Sequence, residues 1–182
     1  MKEQELIKAC KKNDYVAQMQ VYNLYRKHLY NACWRIFKNK QDAEDAVHDA
    51  FIKGFQKIGQ VREDANLGAW FKRIAINHCL DRIRRDKKIA FDDFATVGIE
   101  DKEDDSINYE EVSVAFVKNC IDSFDEKYRI ILELYLIEEY NHREISELLG
   151  LKESTVRNQF RRGKNKLLTL LKNSNYEFRA IH

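Results

Sequence analysis

Residues 142–171 read HREISELLGLKESTVRNQFRRGKNKLLTLL, and this segment decides how the rest of the chain is interpreted. Apolar residues recur at helical spacing before Gly150, a residue type that often ends a helix in the left-handed conformation, and an apolar face resumes at Leu151. The pattern predicts a helix-turn-helix. The buried stripe of its second helix is expected to contain Val156, Phe160, Leu167, Leu168 and Leu171.

The remaining faces of that second helix carry cations and amides: Arg157, Asn158, Arg161, Arg162, Lys164 and Lys166. A guanidinium pairs with guanine edges in the DNA major groove, an Asn amide pairs with adenine, and further cations contact phosphates. DNA binding is the favoured interpretation, because the turn aims these groups in one direction. A solvated basic helix is the alternative.

The composition predicts an all-α protein. The 182 residues include no Pro and only six Gly, and the formal net charge is +2. Four widely spaced cysteines match no zinc pattern, so we expect reduced thiols and neither a metal nor a cofactor. The longest apolar window is too short to span a membrane and the N-terminus lacks a signal core, which favours a cytoplasmic protein without membrane insertion.

The N-terminal half is expected to be helical from residue 3 to 38, with a break at Asn13 and with Asp14 capping the second helix. A further helix is predicted from Asp42 through DAEDAVHDAFIKGFQKI. One face of it is acidic, with Asp42, Glu44, Asp45 and Asp49. These carboxylates suit the positive end of the helix dipole, so a solvated face is one interpretation and a docking surface for a basic partner is the other.

A basic segment follows at residues 67–88, LGAWFKRIAINHCLDRIRRDKK. Aromatic rings interleaved with cations suit single-stranded nucleic acid, because unstacked bases pack on flat apolar faces and the backbone needs positive charge. Core packing is the favoured interpretation for Trp70 and Phe71 themselves, since both fit the periodic apolar stripe.

Residues 89–108 are acidic and aperiodic, which predicts a flexible linker. We therefore expect two small helical domains, at residues 1–88 and 109–173, followed by a short tail at 174–182. In the second domain, Asp125 is expected to cap the helix that precedes the helix-turn-helix.

Three blocks, DAEDAVHDAFIKGF, WFKRIAINHCLDRIRR and YNHREISELLGLKESTVRNQFRRGKNKL, occur in an order and at separations that resemble an extracytoplasmic-function (ECF) sigma factor of the bacterial sigma-70 family. The resemblance covers most of the chain outside the linker and the tail. It implies a region 2-like and a region 4-like domain, and a non-enzymatic function in promoter-specific initiation of transcription. The implied partners are core RNA polymerase, promoter DNA and an anti-sigma factor.

The resemblance also implies roles for particular residues. The acidic helix would dock on the clamp coiled coil of the polymerase largest subunit through Asp42, Glu44, Asp45 and Asp49. The second block would capture melted −10 DNA, with Asn77 and Arg73 in the R-I-A-x-N pattern at a flipped base, joined by Trp70, Arg84 and Arg85. The third block would bind the −35 duplex through Ser154, Thr155, Arg157, Asn158, Arg161 and Arg162.

Several positions depart from the family pattern. His48 stands where Gln is common, Phe55 where Trp is common, and Ser146 where a small Ala is usual. Lys152 occupies a position where the family often has a capping Ser, whose loss costs about 1 kcal/mol. Asn158 and Gln159 replace a frequent Ser-Arg pair, so the −35 sequence cannot be transferred from other members.

Two other classes of protein fit the sequence less well. A transcription regulator with a sensing N-terminal domain would need a ligand pocket or a phosphoacceptor site, and the sequence indicates neither. An enzyme acting on nucleic acid would need metal-spaced carboxylates, a nucleophile beside a His or a phosphate-binding loop, and none of these is evident.

Overall fold

The computed structural model describes residues 3–86 and 113–180, with side chains as far as residue 173. All regular structure in these ranges is helical, as the composition predicts. The chain divides into two compact units, Met1–Asp86 and Lys87–His182. The predicted acidic linker at residues 89–108 lies outside the described residues.

The described part of the N-terminal unit contains α1 (Glu3–Lys11), α2 (Tyr15–Phe37), α3 (Lys40–Lys57), a 3-10 turn (Ile58–Gln60) and α4 (Leu67–Asp86). Helices α2, α3 and α4 pack against one another. Asp14 caps α2 as predicted, because its carboxylate accepts a hydrogen bond from the Ala17 backbone N–H at 3.0 Å. Helix α3 begins at Lys40, earlier than predicted, because the Asn39 side chain accepts a hydrogen bond from the Asp42 N–H.

The N-terminus of α4 is held by a carboxylate from α1. One oxygen of Glu3 accepts a hydrogen bond from the Leu67 N–H at 2.8 Å and another from the Tyr25 hydroxyl at 3.0 Å. A negative group at a helix N-terminus is stabilised by the helix dipole. Burial, together with the bond to Glu3, raises the pKa of Tyr25 to about 12. This contact fixes where α4 starts, and α4 carries all five predicted −10 residues.

An aromatic cluster fills the space between α3 and α4. The Phe71 ring is fully buried, with its centroid 5.0 Å from that of Phe51 and 5.2 Å from that of Phe55. Gly54 lies directly against this ring, since a Cβ added there would be 2.1 Å from a Phe71 carbon. The helices approach closely because position 54 has no side chain.

Replacing Gly54 with Ala is expected to destabilise the protein, although Ala favours helix by about 1 kcal/mol over Gly. Overpacking a close-packed core costs about 1–3 kcal/mol, and the Phe71 ring has no solvent-facing side toward which to move. Urea unfolding of Gly54→Ala measures the effect. Gly59→Ala is the matched control, because a Cβ at Gly59 meets no atom within 4 Å. Equal stability of the two variants would contradict the packing argument.

The described part of the C-terminal unit contains α5 (Val114–Asp122), α6 (Glu126–Leu132), a π-helical turn (Glu133–Ile137), α7 (His142–Leu149) and α8 (Glu153–Ala180). Asn141 and Glu144 form a capping box at the start of α7, a signal not used in the sequence prediction. Gly150 has φ 67° and donates its N–H to the Ser146 carbonyl. The predicted helix-turn-helix and its glycine stop are therefore confirmed.

The buried stripe of α8 is largely as predicted. Val156, Leu167 and Leu171 are buried, whereas Phe160 and Leu168 are only half-buried. One detail differs from the prediction: Asp125 precedes α6, but its side chain makes no capping hydrogen bond. Helix α8 continues beyond residue 173 into the tail, as far as Ala180.

Candidate nucleic-acid and protein interfaces

Helix α8 presents a polar face opposite its buried stripe. At about 100° per residue, Ser154, Arg157, Asn158 and Arg161 point to the side away from Val156. Ser154 and Arg157 are exposed, and Asn158 and Arg161 are half-buried. Arg162 lies at the margin of this face and is also half-buried. The helix therefore brings five of the six predicted −35 residues to one side or its edge.

The sixth predicted residue, Thr155, is placed differently. Its relative exposure is 5%, and that of Gln159, one turn later, is 1%. Both side chains point toward the body of the unit, so a direct base contact from Thr155 is not available in this structure. Asn165, which was not predicted, is exposed and lies one turn beyond Arg161 on the polar face.

An ion pair orients the first arginine of this face. Arg157 Nη2 donates to Glu153 Oε1 at 2.5 Å, and its Nε donates to the same oxygen at 3.1 Å. The hydrogen bond from Arg157 lowers the pKa of Glu153. The guanidinium is therefore held along the helix, one turn from its N-terminus, and DNA would have to compete with Glu153 for it.

Helix α4 carries a second candidate face. Trp70, Arg73, Asn77 and Arg84 recur at intervals of three, four and seven, which places them on one side, and Arg85 flanks them. Arg73, Arg84 and Arg85 are exposed, opposite the buried stripe that contains Phe71. All five predicted −10 residues are thus brought together. Asp81 lies on the same face and accepts a hydrogen bond from Arg84 at 2.7 Å.

Asn77 has an unusual environment on this face. Its Oδ1 atom is buried and has no hydrogen-bond partner among the described residues. A desolvated amide oxygen without a partner costs about 1–3 kcal/mol, so such groups in folded proteins call for an explanation. An external hydrogen-bond donor would satisfy this atom.

The two aromatic residues of the second block, Trp70 and Phe71, differ in burial. Phe71 lies in the core as expected, but Trp70 is half-buried on the basic face, with its ring edge-on to Phe71 at 5.1 Å between centroids. The expectation of core packing is therefore correct for Phe71 and wrong for Trp70. Adjacent positions on a helix point about 100° apart, so the two rings cannot share one stripe.

The acidic residues of α3 do not share one side, contrary to the prediction. Asp45 and Asp49 are exposed, and Asp42 lies beside them at the edge facing α4. Glu44 points about 160° away from Asp42, toward α2. Its carboxylate pairs with Lys40, one turn earlier on α3, at 3.9 Å. The acidic surface, defined here as Asp45 and Asp49 with Asp42 at its edge, is therefore smaller than expected.

Two bridges connect this acidic surface to α4. Arg82 Nη2 donates to Asp42 Oδ1 at 2.5 Å. His78 lies between two residues of α3, with its Nε2 3.1 Å from Asp49 Oδ2 and its Nδ1 2.7 Å from Lys53 Nζ. Burial, together with the Lys53 charge, lowers the pKa of His78. The neutral imidazole thus accepts from Lys53 and donates to Asp49, which orients that carboxylate.

Two further residues belong to the exposed side of α3. Ile52 is 57% exposed, and His48 is exposed one turn earlier. Ile52 was not singled out from the sequence, because it falls outside the periodic apolar stripe. An apolar residue outside that stripe is expected to be exposed, and this was the signal that could have identified it. Ile52 follows Asp49 by one turn, and an apolar side chain beside Asp45 and Asp49 on the exposed side is typical of a protein interface.

No helix in the described ranges has the length and apolar character needed to cross a membrane. The four cysteines are buried and unpaired by disulfides. Among the residues described, no group of three His, Cys, Asp or Glu side chains is arranged to hold a metal ion.

Family comparisons match both units. Residues 21–89 match the model for sigma-70 region 2, and residues 117–167 match the model for sigma-70 region 4. The basic α4 face lies within the first match and the helix-turn-helix within the second. The fold and these two sites define a sigma-70 type transcription initiation factor.

Individual relatives narrow the family. The chain is 29% identical over 172 residues to the ECF RNA polymerase sigma factor SigW of Bacillus subtilis, covering 88% of this chain and 92% of SigW. It is 30% identical over 151 residues to SigE of Mycolicibacterium smegmatis, covering 79% of this chain and 58% of that protein. The chain belongs to the ECF sigma factors of the sigma-70 family, and its function is promoter-specific initiation of transcription.

A solved structure agrees at the level of fold. CnrH, in complex with the cytosolic domain of CnrY, superimposes with a TM-score of 0.52 at 19% identity, covering 94% of this chain and 97% of CnrH.

Proposed function

We propose that this sigma factor binds its partners through three separate surfaces: the basic α4 face, the polar α8 face and the acidic surface of α3. The basic α4 face is proposed to capture melted −10 DNA. The observation that carries the proposal is the buried Asn77 Oδ1, which has no hydrogen-bond partner among the described residues and lies on the helix face that also carries Arg73 and Arg84, with Arg85 beside it. A base removed from the stack needs its polar edge matched, and an amide on a basic face supplies the match. The arginines hold the strand through its phosphates, and Trp70 offers a half-exposed ring for stacking.

The polar face of α8 is proposed to contact −35 duplex DNA. Arg157, Asn158 and Arg161 lie on the exposed side of the second helix of a helix-turn-helix, the element that enters the major groove. Arginine and asparagine are the residues that read guanine and adenine edges bidentately. Ser154, at the N-terminal end of the face, and Arg162, at its edge, are proposed to contact phosphates.

The acidic surface of α3 is proposed to dock on core RNA polymerase. Asp45 and Asp49 supply charge for a basic partner, and Ile52 and His48 supply contact area beside them. Asp42 is proposed to contribute through its bridge to Arg82, and Glu44 is left outside this surface. The protein acts by binding and not by catalysis, and we place it in the cytoplasm with the polymerase.

An anti-sigma factor is proposed as the regulating partner. CnrH, which shares the fold, is seen in complex with the cytosolic domain of CnrY. A regulator that covers any of the three surfaces would silence the protein, because each surface performs a separate step of initiation.

Reconstitution tests the proposed function. The purified protein, mixed with core polymerase and a library of promoter-length DNA fragments, is expected to give transcripts that start at a fixed distance from a shared pair of elements. Core polymerase alone is the control. If the protein bound DNA but gave no initiation above this control, it would act instead as a helix-turn-helix regulator that is not a polymerase subunit.

A further inference from the structure

A groove between α2 and α3 adjoins the acidic surface and shares His48 with it, but its other lining residues have no part in the three surfaces described above. Its cavity volume is about 530 Å³, and it is lined by Tyr22, Arg26, Lys27, Tyr30, Lys40, Glu44, Val47 and His48. The α2 residues run from Tyr22 to Tyr30, eight steps along the helix or about 12 Å at a rise of about 1.5 Å per residue. The α2–α3 groove is therefore an elongated trough along two helices.

The walls of the groove combine rings with cations. Tyr22 packs on Phe51 at 4.8 Å between centroids, and the Arg26 guanidinium carbon lies 6.0 Å from the Tyr22 ring centroid. Tyr30 stacks on Trp34 at 6.4 Å, and Trp34 is 37% exposed. The aromatic surface thus continues out of the groove along α2.

The charge of the groove is positive. Arg26 and Lys27 are exposed on α2, and neither forms an ion pair with any residue that the structure describes. Lys40 is held by the one carboxylate of the lining, Glu44, at 3.9 Å. Two cations remain for an outside partner, on a different side of the unit from Asp45.

We propose that the α2–α3 groove is a docking site for an acidic, amphipathic segment of a second protein. Carboxylates of that segment would pair with Arg26 and Lys27, and apolar side chains would pack on Tyr22, Tyr30 and Val47. Aromatic and arginine side chains are the residue types enriched where protein partners bind. The proposal goes beyond the proposed function, because it adds a partner of opposite charge to the one expected at the acidic surface.

Two other occupants fit less well. An enclosed small-molecule site is mostly apolar with a few polar groups, whereas four of these eight side chains are charged. A nucleic-acid strand is better served by the basic α4 face, which already provides exposed arginines together with a ring and an amide.

The test uses the full chain and a synthetic peptide in which Glu residues flank Leu and Phe at four-residue spacing. Its twin has Lys in place of each Glu. Amide NMR shifts of the labelled protein are expected at Tyr22, Arg26, Tyr30 and His48 with the acidic peptide and not with the basic twin. Arg26→Glu with Lys27→Glu is expected to weaken binding at least tenfold.

Lys12→Glu with Lys57→Glu, which changes net charge equally at exposed positions outside the groove, is the control and is expected to bind normally. Equal binding of the basic twin, an unchanged affinity in the groove variant, or absence of shifts at saturating acidic peptide would overturn the proposal. Displacement of the peptide by a single-stranded oligonucleotide acting on the same amides would also overturn it. Because no polymerase is present, failure here is distinguishable from failure of the acidic-surface assignment.

Discussion

Replacing both Asp45 and Asp49 with Lys is expected to abolish measurable binding to core polymerase at moderate salt. Close charge pairs across interfaces contribute from about 1.5 kcal/mol upward, and juxtaposed like charges cost several kcal/mol. Two reversals should therefore raise the dissociation constant by at least about a hundredfold. Fluorescence anisotropy of the labelled protein titrated with core polymerase, without DNA, measures this constant.

The matched control reverses Glu63 and Asp64, two exposed acids of the same unit in the segment before α4. Their ion pairs with Lys8 and Arg62 are solvent-exposed, and such pairs contribute little to stability. Circular dichroism should show unchanged helicity in both variants. Core binding that persisted in the Asp45 and Asp49 variant, or that fell equally in the control, would remove α3 as the docking helix.

The helical fold was predictable because its signals are local. Apolar spacing identified the α8 stripe at Val156 and Leu167, and Gly150 marked the turn before it. Side-chain caps such as Asp14 likewise depend only on neighbouring residues. The predicted start of α3 at Asp42 was wrong, because Asn39, earlier in the chain, caps the helix instead.

The composition of the sites was predictable only in part, because exposure depends on tertiary packing. Polarity suggested that Thr155 faces solvent, yet it is buried beside Gln159. Glu44 was predicted to lie with the other acidic residues on the basis of charge alone, but its position on the helix directs it toward α2. The His78 bridge joins residues from different helices, at a distance of 29 positions from Asp49, and no local pattern encodes such a contact.

Asn77 illustrates a property that no sequence pattern reports. The motif R-I-A-x-N singles out the residue, but its desolvated oxygen depends on the packing of neighbouring side chains in the folded unit. That property distinguishes a poised hydrogen-bond acceptor from an ordinary surface amide, and it makes a quantitative prediction possible.

Replacing Asn77 with Ala is expected to slow open-complex formation on linear promoters while −35 duplex binding stays unchanged. Loss of one hydrogen bond to an extruded base costs about 1–3 kcal/mol, or on the order of tenfold to a hundredfold in the equilibrium for opening. Permanganate reactivity of thymines in the melted region reports opening, and competition with a −35 duplex reports the closed contact. Arg73→Ala should weaken opening with less effect on base preference, because it holds phosphate.

The control is Asn31→Ala, an exposed asparagine on α2 outside the α4 face. A heteroduplex promoter with a pre-melted −10 region separates strand opening from base capture. On this template Asn77→Ala should recover overall complex formation but should still fail to discriminate among bases at the flipped position, because the acceptor itself is missing. If Asn77→Ala opened linear promoters at the same rate as Asn31→Ala and with the same −10 preference, capture of the base would have to lie elsewhere, in the segment from Gly59 to Asn66 that leads into α4.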